Sequence, residues 1–367
     1  MPHLIGLYLH IPFCLRKCGY CDFYSCKGDD DLYDKYTVSL LAALERYGKE
    51  GGYQADTCYF GGGTPSLLGP KRVGTLLAAA EKTFGLHQAE ITLEVNPATV
   101  SFSDLQGYRA AGVNRLSVGM QSGVDGELAS LGRLHTAADT VRTVEAARRA
   151  GFDNLSLDLM LGIPGQTEKS LAQTLKLVRG LAPEHLSGYL LKIEEDTPFA
   201  SLPAERFPGE EAQAALYTAA CRGLEGMGLM QYEISNFARP GFSSRHNLKY
   251  WNGEEYLGLG PAAHSFLKGR RFFYPRDLEG FLSGRPPAAD GTGGDFEEYA
   301  LLRLRLIEGL TEEGVATRFG GPIPARMRRR AKPLAAAGLM EEDERGLRLT
   351  REGFLVSNEI LARLLAE

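Results

Sequence analysis

The sequence lacks any run of about 18 apolar residues, the length that a membrane-spanning helix requires. Its first residues, MPHLIGLYLHIPFC, contain neither the basic stretch nor the cleavage site of a signal peptide. Positive and negative residues are nearly balanced, with 41 Lys and Arg against 46 Asp and Glu. The chain therefore has no general attraction for nucleic acid. We expect a cytoplasmic protein that does not bind nucleic acid.

Cysteine is scarce, with six residues in the chain, yet Cys14, Cys18 and Cys21 form one C-x3-C-x2-C motif. In the reducing cytosol, clustered cysteines are more often metal ligands than disulfides. Soft thiolates suit zinc or an iron–sulfur cluster. A closed zinc site needs a fourth ligand, and Asp22 and Cys26 lack the usual paired spacing. Three cysteines on a four-iron cluster leave one iron open, which favours a [4Fe–4S] cluster that does chemistry.

Short apolar runs alternate with amphipathic stretches over the first two hundred residues. This pattern predicts strands at residues 4–10, 57–60, 91–95, 115–118, 154–160 and 186–192. It predicts helices at residues 32–48, 71–84, 137–150 and 169–179. Repeated strand–helix units indicate an α/β fold with a parallel sheet, either open or curved into a partial (β/α)6 barrel.

Polar or glycine-rich segments follow every predicted strand. In chain order they are HIPFCLRKCGYC, GGGTPS, EVNP, GMQS, LGIPGQT and KIEEDTP. Parallel α/β folds place their active sites at this carboxyl end of the strands. The sequence therefore predicts that the six segments meet in one site.

The segment YLHIPFCLRKCGYCDF resembles the cluster loop of the radical SAM superfamily. It is most similar to the group that contains the oxygen-independent coproporphyrinogen III oxidases and the HemW-type heme chaperones. The resemblance implies that Cys14, Cys18 and Cys21 hold a [4Fe–4S] cluster whose open iron chelates S-adenosylmethionine (SAM). It also implies an electron donor such as flavodoxin or ferredoxin, and cleavage of SAM to a 5′-deoxyadenosyl radical.

The resemblance extends to the later motifs and implies a set of SAM contacts. These come from Gly62, Gly63, Thr64 and Pro65 of GGTP and from Glu94, Gln121, Arg133 and Asp158. The resemblance also implies ring contacts of Tyr8 and Tyr20 beside the cluster. Glycines let the backbone approach the methionine ammonium. An arginine can pair with the SAM carboxylate, and carboxylates accept hydrogen bonds from ribose hydroxyls.

Two features separate the chain from the oxidases. Phe23 stands where the oxidases carry a further cysteine, and HNLKYW at residues 246–251 fits the HNxxYW motif of the HemW-type chaperones. A neutral imidazole is a good axial ligand of heme iron, so we predict heme binding by His246. Arg245 and Lys249 could then pair with the propionates. The alternative is a structural His in a turn, with Tyr250 and Trp251, the only tryptophan, at a domain interface.

The predicted function is that of a heme chaperone, which binds heme and passes it to hemoproteins such as membrane-associated respiratory enzymes. We expect no coproporphyrinogen oxidase activity, and a homodimer is compatible with this function. The alternative is an oxygen-independent coproporphyrinogen III dehydrogenase, which forms protoporphyrinogen IX by two radical decarboxylations. A third interpretation is a cluster with a structural role alone.

The chain is predicted to have three parts. Residues 1–200 form the radical SAM barrel with the cluster, residues 201–290 extend it and carry HNxxYW, and residues 291–367 form a small helical or winged-helix-like domain with a hairpin near 339–349. The segments LRLRLIEGL and LRLTREGFLVSNEILARLL resemble the C-terminal domain of the same group. A basic run at residues 326–332 is interpreted as a solvated helix face, with a membrane surface or an acidic partner as the alternative.

Overall fold

Consecutive parallel strands form the centre of the protein, and each is followed by helical structure. The computed structural model describes residues 3–366. The strands are His3–Ile11 (β1), Tyr53–Gly62 (β2), Glu90–Val95 (β3), Arg115–Gln121 (β4), Leu155–Leu161 (β5) and His185–Leu190 (β6). All six predicted strands are present, with ends that differ by a few residues. The predicted partial (β/α)6 barrel is therefore confirmed.

The helices that follow these strands cover the outer side of the sheet. They are Asp30–Glu50 (α1), Gly69–Phe84 (α2), Phe102–Ala111 (α3), Asp125–Ser130 (α4), Ala137–Arg149 (α5), Glu168–Leu181 (α6) and Glu210–Glu225 (α7). A capping box of Thr136 and Asp139 fixes the start of α5. The sequence did not predict α3 and α4, because their apolar patterns are too short to give a clear helical period.

Alternation along each strand gives the barrel an apolar outside and a polar inside. In β5, for example, Leu155, Leu157 and Leu159 are fully buried towards the helices, whereas Ser156 and Asp158 point to the opposite face. The outward side chains join one large hydrophobic core between sheet and helices. The polar side chains on the inward face line the interior of the barrel and its cleft.

The barrel stays open because β1 and β6 take other neighbours at the two edges. The next elements are Met230–Gln231 (β7), Asn236–Ala238 (β8), Arg245–Trp251 (α8), Tyr256–Leu259 (β9), His264–Leu267 (β10), Arg270–Phe273 (β11), Leu278–Leu282 (α9) and Ala288–Thr292 (β12). Strand β9 pairs with β1, and β8 pairs with β6 in the antiparallel direction. Short 3-10 helices lie at Pro65–Leu68, Pro97–Thr99, Pro198–Ser201 and Ala204–Arg206.

Helix α8 closes the amino end of the barrel, and we call this closure the barrel floor. The carboxylate of Glu90, the first residue of β3, accepts the backbone N–H groups of Arg245 and His246 at 3.1 and 3.0 Å. Lys249 pairs with Asp56 at 2.9 Å. A carboxylate at a helix N-terminus satisfies free N–H groups and complements the helix dipole. Two charge contacts thus hold α8 against the strands.

The rest of the chain forms a separate hydrophobic cluster within residues 299–364. Its elements are Phe296–Arg303 (α10), Leu310–Thr311 (β13), Glu312–Phe319 (α11), Ala325–Ala336 (α12), Met340–Asp343 (β14), Gly346–Leu349 (β15), Arg351–Leu355 (α13) and Ser357–Leu365 (α14). Strands β14 and β15 form the expected hairpin, to which β13 adds a third strand. The division of the chain near residue 290 stays a prediction.

The basic run lies on α12 and is partly neutralised by its own neighbours. Arg326 pairs with Glu297 at 3.1 Å, and Arg328 pairs with Glu312 and Glu342 at 2.6 and 3.3 Å. These ion pairs connect α12 to other elements of the C-terminal part. Within residues 3–366, none of the helices combines the length and apolar character that crossing a bilayer requires.

Candidate functional site

The loop after β1 presents the three cysteines of the motif to one cleft. Cys14, Cys18 and Cys21 are free, half-buried thiols that line the cleft together. The backbone of Cys26 closes this loop, since its N–H donates to Pro12 and its carbonyl accepts from Cys14, at 2.7 and 2.9 Å. Cys26 therefore supports the loop through its backbone.

Polar groups surround the thiols and suit them to bind iron. Arg133 Nη1 lies 3.8 Å from Cys18 Sγ, and Thr64 Oγ1 lies 3.5 Å from Cys14 Sγ. A nearby guanidinium stabilises a thiolate. Among the described residues, no trio of His, Cys, Asp or Glu has the geometry to hold a single metal ion. Three thiols that line one cleft suit a [4Fe–4S] cluster, whose cysteines bind separate irons.

The GGTP segment after β2 is bound to the cysteine loop through its backbone. The N–H groups of Gly63 and Thr64 donate to the carbonyls of Ile11 and Phe13 at 2.8 and 2.7 Å. A Cβ on Gly63 would lie 2.7 Å from the Phe13 oxygen, so no larger residue fits here. Gly62 has φ 112°, a region open to glycine. The two glycines therefore allow the close contact between the ends of β1 and β2.

The carboxyl groups of Glu94 and Asp158 line the same cleft as the cysteines. Tyr59 donates its hydroxyl to Glu94 Oε1 at 2.8 Å, and Ser117 donates to Asp158 Oδ1 at 3.0 Å. Burial, followed by the charge of Asp158, raises the pKa of Glu94 to about 8. Burial also raises the pKa of Asp158. Near neutral pH the raised pKa favours the protonated form of Glu94.

The far side of the cleft carries strain and unpaired polar atoms. Gln121 has φ 63°, a value that is rare for residues other than glycine. It lies at the point where the pairing register between β4 and β5 shifts. Arg133 donates through Nη2 to Gly119 O at 2.9 Å, but its Nε is buried without a partner. The Oδ1 of Asn96 is likewise buried and unpartnered. Buried polar atoms normally have partners, so these two indicate the place of a polar ligand.

Most of the predicted SAM contacts meet in this cleft. Its volume of about 470 Å³ suits a cofactor. Of the predicted residues, those that line it with the cysteines are Tyr20, Gly62, Gly63, Thr64, Pro65, Glu94, Gln121, Arg133 and Asp158. Tyr8 lies elsewhere: its hydroxyl bonds to His10 Nδ1 at 3.1 Å, and its ring lies beside those of Tyr59 and His246.

His246 lies at the barrel floor, the opposite end of the strands from the cysteines. It is 1% exposed, and its Nδ1 and Nε2 bond to Thr57 Oγ1 and Tyr250 Oη, both at 2.8 Å. Its ring stacks on Tyr59 with the centroids 5.1 Å apart. Burial lowers the pKa of His246 to about 3, so the ring is neutral. With both nitrogens engaged, this geometry matches the structural alternative for the motif.

The neighbours of His246 are also engaged within the protein. Arg245 donates to Gln88 O at 3.0 Å, and Lys249 pairs with both Asp56 and Glu254. The guanidinium of Arg305 lies 5.9 Å from the Trp251 ring, at the contact with the C-terminal part. The two cations predicted to meet propionates therefore hold α8 in place.

Sequence reasoning missed Arg115, the largest fully buried side chain. It faces the barrel interior, and its Nη1 lies 3.5 Å from Thr92 Oγ1, while its Nε has no partner. Its charge lowers the pKa of Glu94 and Asp158 against the larger effect of their burial. Alternation in RLSVGMQ places Arg115 on the same face as Ser117 and Gln121, a signal by which it could have been found.

Comparison with known proteins agrees with the fold and the motifs. A family model described as the radical SAM superfamily matches residues 8–178, and one described as the HemN C-terminal domain matches residues 295–356. Among solved structures, the coproporphyrinogen III oxidase HemN of Escherichia coli, described as a radical SAM enzyme, has a TM-score of 0.85. It is 23% identical over 100% of this chain and 90% of its own, a likeness of fold alone.

Curated relatives match over nearly the whole chain. The heme chaperone HemW of Bacillus subtilis strain 168 is 34% identical over 98% of this chain and 99% of its own length. The heme chaperone HemW of Escherichia coli K12 is 35% identical over 99% of this chain and 98% of its own. The chain therefore belongs to the HemW family of the radical SAM superfamily.

Proposed function

We propose that the protein is a heme chaperone, which binds heme and passes it to hemoproteins, and that it carries a [4Fe–4S] cluster and SAM. The observation that carries the proposal is the identity of 34–35% with two HemW proteins over at least 98% of each chain. Phe23, in place of the oxidases' further cysteine, also favours the chaperone over the dehydrogenase. The likeness to the oxidase HemN, at 23% identity, supports the fold and not that activity.

Cys14, Cys18 and Cys21 are the residues that would hold the cluster, which supplies one-electron chemistry when bound. The two unpaired atoms beside them, Arg133 Nε and Asn96 Oδ1, suit the carboxylate and the ammonium of a SAM methionine. Arg133 already donates one N–H from Nη1 and one from Nη2, and its Nε–H stays available for a ligand. Its position is thus fixed before the ligand arrives.

Glu94 and Asp158 would bind the sugar and the positive charge of SAM. A protonated Glu94 can donate, and an ionised one accepts from hydroxyls and attracts a cation. Placing a cation beside this carboxyl stabilises its ionised form and lowers its pKa. SAM binding and the ionisation of Glu94 are therefore coupled.

Heme ligation by His246 requires that the barrel floor opens. One ring nitrogen must lose its bond to Thr57 or to Tyr250, and the buried ring must become accessible to the porphyrin. Each lost buried hydrogen bond costs about 1–3 kcal/mol. The closed structure therefore supports the structural role of His246 over axial ligation.

We expect the anaerobically purified protein to bind heme and to transfer it to an apo-hemoprotein. With coproporphyrinogen III, SAM and a reductant, it should form no protoporphyrinogen above the level of a protein-free control. Heme transfer is followed by the absorption of the acceptor, and the porphyrins are separated by chromatography. Protoporphyrinogen formation, or the absence of heme transfer, would refute the chaperone proposal.

Cys18→Ser should abolish the broad iron–sulfur absorption and most of the bound iron after anaerobic reconstitution. A serine hydroxyl is a poor ligand beside two thiolates, because iron in such clusters prefers soft sulfur. Cys58→Ser is the matched control, since Cys58 is fully buried in β2 away from the cleft. Equal iron content in Cys18→Ser and wild type would rule out the three-cysteine site.

His246→Ala should destabilise the protein by about 2–4 kcal/mol, because it opens a cavity and leaves Thr57 and Tyr250 unpaired. The heme affinity of the folded variant should stay within about twofold of wild type. Chemical denaturation and heme titration measure the two effects. His264→Ala, at an exposed position, is the control. A tenfold or larger loss of heme affinity with unchanged stability would identify His246 as a ligand after all.

Glu94→Gln should change stability in a pH-dependent way in the ligand-free protein. The pKa of Glu94 is about 8 in the folded state against an ordinary value of 4.5. Between these values the folded state keeps a proton that the unfolded state releases, so the stability of wild type relative to the variant falls by up to about 1.4 kcal/mol per pH unit. The advantage is complete below pH 4.5 and is lost by about pH 8.

Denaturation of both proteins across this pH range measures the effect. Glu50→Gln, at an exposed position of α1, controls for the loss of a carboxyl as such. A stability difference that does not change with pH would show that Glu94 is ionised throughout.

A further inference from the structure

Arg115 is a buried charge without a carboxylate partner in the barrel interior. It begins β4, is 1% exposed, and makes no ion pair with the residues that the structure describes. Its Nη1 donates to Thr92 Oγ1 at 3.5 Å, a long hydrogen bond, and its Nε has no partner. Removing a guanidinium from water is costly, and buried arginines are therefore normally paired. Something other than a salt bridge must explain why a charge is kept here.

The register of the strands places the two carboxyl groups of the cleft one layer above Arg115. Arg115 pairs in register with Thr92, and two residues further along the same strands Ser117 pairs with Glu94. Ser117 in turn donates to Asp158 Oδ1 at 3.0 Å. Successive inward residues of a strand are only about 7 Å apart. The guanidinium therefore lies on the amino-end side of the carboxyl pair, inside the same barrel.

The charge of Arg115 acts on side chains from most of the elements that enclose the interior. Burial has the larger effect on the pKa of each of these groups, and the positive charge lowers each of these pKa values. The groups are Tyr59, Glu94, Asp158, His185 and His246. Charges interact over longer distances in a low-dielectric interior than in water. Arg115 can therefore act on both carboxyls without touching either of them.

The other titratable groups that face Glu94 are tyrosines, which carry no charge. They are Tyr8 of β1, Tyr59 of β2, Tyr189 of β6 and Tyr250 of α8. Burial raises the pKa of each above the ordinary value of 10, so all four stay neutral. Arg133 acts on Asp158, but its guanidinium is also held at Cys18. In the described part of the chain, the charges that set the ionisation of Glu94 are thus those of Asp158 and Arg115.

We propose that Arg115 is a positioning residue, the fixed counter-charge of Glu94 and Asp158, and that it sets the pH range in which the cleft accepts SAM. The proposal rests on the proposed function, because it requires SAM in this cleft. An arginine stays charged at every pH at which the protein is folded. SAM carries a positive sulfonium, which favours the ionised form of a neighbouring carboxyl. With Arg115 present, the arriving cation can displace the proton of Glu94 near neutral pH. Without it, Glu94 would hold that proton more tightly.

The first test follows the titration of Glu94 in the ligand-free protein and needs neither cluster nor SAM. Carbon-13 NMR of labelled glutamate carboxyl groups gives the pKa, and Glu94→Gln identifies the resonance. Glu94 should titrate at about 8 in wild type. Arg115→Met should move this titration up by about one pH unit or more, because a nearby opposite charge shifts a carboxyl by about 1–3 units. Arg115→Lys, which keeps the charge, should move it by less than about half a unit.

A matched control removes a buried arginine outside the barrel. Arg303 is 7% exposed and donates to Asn252, and Arg303→Met should lower stability without moving the Glu94 titration. The effect of Arg115→Met is also measured in an Asp158→Asn background, which compensates the lost positive charge by removing a negative one. The titration should move up there by a similar amount, so the test does not depend on folding of the single variant.

The second test measures the affinity of the anaerobically reconstituted protein for SAM against pH, by calorimetry. A cation that lowers the pKa of Glu94 makes the affinity rise with pH up to the pKa of the ligand-free protein, and level off above it. The affinity should level off near pH 8 in wild type and in Arg303→Met. In Arg115→Met it should level off about one pH unit higher, and in Arg115→Lys close to wild type.

An unchanged Glu94 titration in Arg115→Met would overturn the proposal. It would also be overturned if Arg115→Lys and Arg115→Met moved the titration equally, because the effect would then follow the shape of the side chain and not its charge. A third contrary result is a SAM affinity whose pH dependence is the same in Arg115→Met and wild type. The first test uses ligand-free protein, so failure of the proposed function, seen as a lack of cluster or of heme transfer, is distinguishable from failure of this role of Arg115.

Discussion

The cleft is built on the parallel pairing of β1 with β2, which two backbone hydrogen bonds, from Gly63 and Thr64 to Ile11 and Phe13, extend into the cysteine loop. They join the carboxyl ends of β1 and β2 and fix the position of the cysteine loop relative to the sheet. The loop in turn receives Arg133, which approaches Cys18 from the segment after α4. If the first two strand ends were not locked together, the thiols, the guanidinium and the carboxyls could not face one space.

Burying polar groups inside the barrel costs free energy, but it also prepares these groups to bind a polar ligand. Burying Glu94, Asp158 and Arg115 removes charge from water, which is unfavourable unless the groups are paired or protonated. The protein keeps them partly unsatisfied: Glu94 has a raised pKa, and Arg115 Nε has no partner. Such groups bind a polar ligand with little reorganisation, because the fold has already desolvated and oriented them.

The sequence was sufficient to predict the strands and the residues at their carboxyl ends, because alternation and punctuating glycines are local signals. The position of His246 could not be predicted in the same way. The motif shows which residues are close in sequence. It does not show that His246 would form hydrogen bonds to Thr57 and Glu90, which lie on strands distant in sequence. Arg115 was missed because a charged residue in a strand suggests exposure, whereas curvature of the sheet turns this face inward. Tyr8 was expected near the cluster because of the family resemblance, whereas its ring lies beside those of Tyr59 and His246 in the barrel interior.

Residues 230–259 occupy three places in the barrel. They provide β7 and β8 at one edge, α8 at the floor and β9 at the opposite edge. A stretch of about 30 residues therefore ties together both margins of a sheet that does not close on itself. Segments of this kind open as cooperative units, because losing one contact frees the next. The same piece of chain thus forms part of both edges of the sheet and of the barrel floor, and any movement of α8 would reach both edges.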